Sequence, residues 1–121
     1  MKYMLIIYGN DELWTSLPPE QIQDLIARTD AHNRALIDSG EMVGAFGVAD
    51  QSAAKLVSVA DGERVVTDGP YIETKEYIGS FTIVDVDNEE RALEIAAANP
   101  AAEFTRVEVR ALLHGGTADE L

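Results

Sequence analysis

Residues 2–8, KYMLIIY, are apolar on both alternating faces, with Tyr3, Leu5 and Ile7 on one and Met4, Ile6 and Tyr8 on the other. Such a strand belongs in the centre of a sheet covered on both sides. Gly9-Asn10-Asp11 interrupts it. The period then changes to 3.6. Pro18-Pro19-Glu20 opens a helix that runs to Ser39 and stops at Gly40, with proline in the first turn and glycine just past the end. Ile22, Leu25, Ile26, Leu36 and Ile37 form its apolar stripe; Thr29 and Asn33 fall within the stripe, and His32 lies on its edge. Residues 41–49 read as a second strand, in which Gly44 and Gly47 leave room for a bulge or a close approach. Two short strands, 55–59 and 64–67, are joined through Asp61-Gly62, a strong hairpin signal. Beyond a turn at Asp68-Gly69-Pro70 and a polar loop, residues 78–86 form another strand that is apolar on both faces. Asp87 is placed to cap a second helix, with Leu93, Ile95 and Ala96 buried and Asn99-Pro100 as its end. In the last strand, residues 104–113, Val107, Val109, Ala111 and Leu113 alternate with Arg106, Glu108, Arg110 and Leu112.

The order β-α-β, hairpin, β-α-β predicts an α+β fold of ferredoxin-like type. The hairpin is inserted before the third main strand, and both helices lie on one face of an antiparallel sheet. Two helices cover only one side of that sheet. The apolar residues on the other side need a second cover, and a two-fold homodimer packed sheet to sheet is the expected one.

Composition narrows the partners. The chain has 121 residues, of ordinary size for one domain, expected to span 1–114 with a flexible tail at 115–121. Cysteine is absent, so disulfides and thiolate chemistry are excluded. With 22 acidic against 9 basic residues the formal charge is −13, which disfavours nucleic acid and anionic membranes. The early apolar run 4–8 is too short for a signal-peptide core or a membrane span, and a cytoplasmic location is expected.

Residues 67–98 carry Asp68-Gly69-Pro70-Tyr71, then Glu73-Thr74-Lys75-Glu76, then Gly79-Ser80-Phe81, then an acidic turn into a helix. This run resembles the DGPF branch of the YCII-related family, with Tyr71 in place of the usual phenylalanine. Residues 36–40 and 107–110 also fit, although Ala111 stands where a proline is common, and the resemblance covers nearly the whole chain. It implies a ferredoxin-like subunit of the dimeric α/β-barrel kind, and genes often found beside extracytoplasmic-function sigma factors. Some YCII relatives use a His–Asp pair on aromatic substrates, with the aspartate before a proline after the second helix. Here that dipeptide is Asn99-Pro100, and His32 lies closer to Gly40 than the family's histidine. The resemblance therefore implies no such pair, because an amide is no general base.

The candidate chemistry is sparse. The loop 68–76 gathers Asp68, Tyr71, Glu73, Lys75 and Glu76, either to hold a small polar ligand or as a self-satisfied turn. Lys75 is the cation expected to sit among its three carboxylates. Thr29 and Asn33 either line a cavity with His32 or bond neighbouring carbonyls. Arg110 requires a partner, Glu108, Asp68 or a bound anion. Two histidines without ligand spacing predict no metal, and no cofactor motif is present. Two classes of function follow: a small-molecule-binding accessory or regulatory protein, or a small cofactor-free enzyme (isomerase, lyase or oxygenase) working in the barrel cavity.

Overall fold

A computed structural model describes residues 1–70 and 75–121. Along the described residues run β1 (Lys2–Gly9), α1 (Asp11–Ser16), α2 (Pro19–Ser39), β2 (Met42–Gly47), β3 (Lys55–Ala60), β4 (Glu63–Asp68), β5 (Tyr77–Asp85), α3 (Glu89–Ala98) and β6 (Val107–Ala111). Short 3-10 turns occupy Gln51–Ala53 and Pro100–Glu103. Four strands form an antiparallel sheet in the order β2-β5-β1-β6, so the two doubly apolar strands are central. β3 and β4 form a separate ribbon. Its turn needs left-handed backbone at both residues, with Asp61 at φ 53° and Gly62 at φ 77°. The architecture is α+β and ferredoxin-like.

Register separates the two faces of the sheet. Tyr3 lies opposite Val84, and Leu5 opposite Thr82 and Val109. These residues face α2 and α3, where Tyr3, Leu5, Val84 and Val86 pack with Leu36, Ala92 and Ile95. Each such aliphatic side chain contributes about 1.5–3 kcal/mol when fully buried. On the other face Met4 lies opposite Ile83 and Arg110, and Ile6 opposite Phe81 and Glu108. No helix covers that face among the described residues. The Phe46 and Phe81 rings stand 5.4 Å apart, and Phe46 is left 55% exposed.

Several local expectations are corrected. A one-turn-and-a-half helix, α1, follows β1 directly, capped by the Asn10 side chain on the Glu12 and Leu13 amides. The cap of α3 is Asn88, which accepts from the Arg91 amide at 2.9 Å, and not Asp87. Ile26 and Ile37 are 56% and 60% exposed, because the sheet meets only the part of the α2 stripe that contains Leu36. On α3 the buried side is Ala92, Ile95 and Ala96, and Leu93 faces out. The last strand is shorter than expected, since Pro100–Glu103 winds into a 3-10 turn before it. Gly40 ends α2 as expected, in left-handed conformation at φ 80° with its N–H on the Leu36 and Ile37 carbonyls. Near the end of the chain, Glu120 meets the Lys2 Nζ at 2.7 Å.

Candidate functional site

Leu25, Thr29, Asn33 and Leu36 follow one another at spacings of three and four, so α2 presents two polar side chains between apolar ones on one face. Beneath them the sheet offers small residues, Ala45 and Gly47 on β2 and Ser80 on β5. Short side chains on both sides leave a cavity of about 210 Å³ between helix and sheet. Its polar lining is Thr29, Asn33, Ser80, Thr82 and Asn99; Ile7, Phe46 and Phe81 complete the wall. Among the described residues no titratable side chain lines it.

The hydrogen bonding of these groups is incomplete. Among the described residues no side-chain hydrogen bond ties down Thr29, Asn33, Ser80 or Thr82, and none of their polar atoms is sealed from solvent. The expectation that such residues bond a neighbouring carbonyl is not met. Asn99 is half engaged. Its Oδ1 accepts from the Ala101 amide at 2.9 Å and so starts the 3-10 turn after α3. That bond fixes the carboxamide of a residue that lines the cavity.

His32 does not join Asn33. Consecutive helical residues point about 100° apart, and His32 lines a different hollow, of about 200 Å³, with Arg91 and Glu94 between α2 and α3. Burial lowers its pKa, and the Arg91 charge lowers it further. Arg91 is held by Glu41 through two contacts of 2.8 Å and by Glu94 at 3.2 Å. The Arg91 and Ser39 hydrogen bonds pull the Glu41 carboxyl down to about 2. This cluster latches α3 to the start of β2.

The charges of the loop 68–76 are dispersed. Asp68 pairs with Lys55 across the β3–β4 ribbon. Lys75 reaches Glu12 of α1 at 2.9 Å. Glu76 binds Arg106 at 2.9 Å. Arg110 lies 3.6 Å from Glu108, the first of its expected partners, on the uncovered face. Tyr71 and Glu73 lie outside the described residues. No group of three His, Cys, Asp or Glu among the described residues could hold a metal ion, and no helix is long and apolar enough to cross a membrane.

Sequence reasoning did not single out Ser80, Thr82 or Asn99 as cavity residues, or α1 at all. For the first two the signal was present: a serine and a threonine alternate on the side of β5 that carries Val84. For α1 it was Asn10 followed by two acids, a helix start.

Comparison with known proteins places the chain. The model of the YCII-related domain matches residues 1–114. An uncharacterised protein of Rhizobium meliloti (strain 1021) is 26% identical over 120 residues, covering 96% of this chain and 97% of that protein. Among solved structures, the 5-chloro-2-hydroxyhydroquinone dehydrochlorinase of Burkholderia phenoliruptrix AC1100, in complex with 2,5-dihydroxybenzoquinone, is similar with a TM-score of 0.49 and 15% identity. It aligns over 95% of this chain and 96% of that one. The family match, spanning nearly the whole chain, shows that this protein belongs to the YCII-related domain family.

Proposed function

We propose that this protein is a small-molecule-binding accessory protein, working as a homodimer, that holds a neutral hydrogen-bonding ligand between α2 and the sheet. One observation carries the reading: the cavity is lined by the Thr29, Ser80 and Thr82 hydroxyls and the Asn33 carboxamide, which no described residue bonds. These groups reach solvent, so water bonds them when the cavity holds no ligand, and a ligand that displaces this water can take over the same hydrogen bonds. At about 210 Å³ the cavity exceeds one water's share of roughly 30 Å³ several-fold, which leaves room for a small ligand. Its described lining offers hydroxyls and carboxamides rather than a carboxylate or imidazole, which suits binding more than proton transfer. The uncovered sheet face, with Phe46, Phe81, Ile83 and Met4, supports the dimer.

The enzyme alternative has one observation in its favour. On the uncovered face Tyr8 Oη donates to Glu108 Oε1 at 3.0 Å, and Arg110 stands beside Glu108. That trio supplies polar chemistry to a space enclosed between two sheets. The link to a sigma factor rests on the family resemblance alone.

The test is native mass spectrometry of protein purified from cells, followed by thermal melting against a metabolite library. Wild type should retain or take up a neutral polar compound, and Asn33→Leu and Thr29→Val should lose it. Undiminished uptake by both variants would overturn the cavity reading; loss in Tyr8→Phe and Glu108→Gln instead would favour the alternative.

A further inference from the structure

A further hollow lies where β1 runs into α1. It measures about 370 Å³ and is walled by Trp14, Tyr77, Tyr8 and Asp50. Gly9 lets the rings close on the strand end: a Cβ there would stand 2.8 Å from Tyr77 Cε2 and 3.3 Å from Trp14 Nε1. The hollow borders the α2 cavity through Ile7 and Ser80, and its aromatic and charged groups are all its own.

The charge around these rings is negative and uncompensated. The Asp50 carboxylate accepts from Ser52, as cap of the 3-10 turn Gln51–Ala53, and has no cationic partner among the described residues. Asp11 Oδ1 accepts a hydrogen bond from the Tyr77 hydroxyl and likewise has no cationic partner among the described residues. The nearby cation Lys75 is already matched by Glu12. Tyr77 registers the field. Its hydroxyl is pushed up to about 12 by the Asp11 hydrogen bond, then by burial, with the Asp11 and Asp50 charges adding to it. The Ser52 bonds hold Asp50 below the ordinary carboxylate range, so it remains ionised near neutral pH.

Rings beside two carboxylates that no described cation balances attract a positive charge twice over, through the ring quadrupoles and through Coulomb attraction. The hollow repels carboxylates and phosphates. We propose that it binds a small organic ammonium cation, seated against Trp14 and Tyr77 and facing Asp50. The proposal goes beyond the neutral-ligand cavity, and either can fail without the other.

Trp14 is the chain's single tryptophan, so its fluorescence reports on this hollow alone. The probe is choline, titrated at constant ionic strength, against its neutral isostere 3,3-dimethyl-1-butanol and against sodium chloride. A saturable change with choline and none with the alcohol or the salt is expected. Asp50→Asn, which keeps a side-chain oxygen for Ser52, should weaken choline roughly 3- to 30-fold, and Tyr77→Leu should weaken it at least as much. Asn33→Leu, in the α2 cavity, should leave the choline response unchanged. An equal response to the alcohol, no saturable response, or full binding by Asp50→Asn would overturn the assignment. So would loss of the response in Asn33→Leu.

Discussion

Replacing Asn33 with leucine separates a ligand-binding asparagine from a structural one, because the two roles give opposite signs. The side chains have the same number of non-hydrogen atoms, so the exchange alters polarity with little change in shape. In the structure Asn33 is half-buried on α2, faces the cavity and bonds no described residue. An unpaired carboxamide costs about 1–3 kcal/mol when buried, and about half of that for a half-buried group. Leucine relieves this cost and is a better helix former than asparagine by a few tenths of a kcal/mol. The ligand-free variant should therefore be more stable than wild type by about 1–2 kcal/mol. For a chain of 121 residues each kcal/mol is worth roughly 3–6 °C, so Tm should rise by about 3–12 °C. The assay is thermal unfolding followed by circular dichroism at one fixed protein concentration, after removal of any co-purified compound. The stabilised variant should also lose the ligand-induced shift. A fall in Tm equivalent to 1 kcal/mol or more would refute the reasoning, since it would show that Asn33 bonds the protein.

Three further outcomes test other parts of the structure. Glu41 has its carboxyl drawn from 4.5 to about 2 by the Arg91 hydrogen bonds, so it adds stability in full above about pH 4.5 and loses it as the pH falls toward 2. Glu41→Gln should cost about 1–2 kcal/mol at pH 7, discounted for the half-exposed Arg91, and should flatten the acid limb of a stability-against-pH curve between pH 4.5 and 2. Lys75 is 67% exposed in its pair with Glu12, so Lys75→Ala should change chemical-denaturation stability by about 0–1 kcal/mol, and a loss above 2 kcal/mol would show a larger role. Phe81→Asp places a charge on the uncovered sheet face; light scattering should show wild-type dimers and variant monomers or aggregates, and a monomeric wild type at micromolar concentration would remove the basis for the dimer.

The pattern of apolar positions was sufficient for the architecture because it is a property of period and order. Two strands apolar on both faces had to be central, and β1 and β5 are. Asp61-Gly62 had to turn with positive φ, and Gly40 had to end a helix; both follow from local backbone sterics that neighbouring residues alone impose. Thr29 and Asn33 stood out as polar residues on an apolar stripe before any partner was known. What they face was decided only in three dimensions. The cavity exists because Ala45, Gly47 and Ser80, from two strands far apart in the chain, come to lie beneath them. Ion pairing was equally non-local. Lys75 sits among carboxylates in the sequence, yet its direction carries it to Glu12, and Glu76 turns to Arg106. His32 and Asn33 are adjacent in the chain but open onto separate hollows, because the 100° turn per residue sends one toward the sheet and the other toward α3. Periodicity specifies which face of an element is apolar; which small residues and which charges meet across elements depends on register and packing, and these arise only when the chain closes on itself.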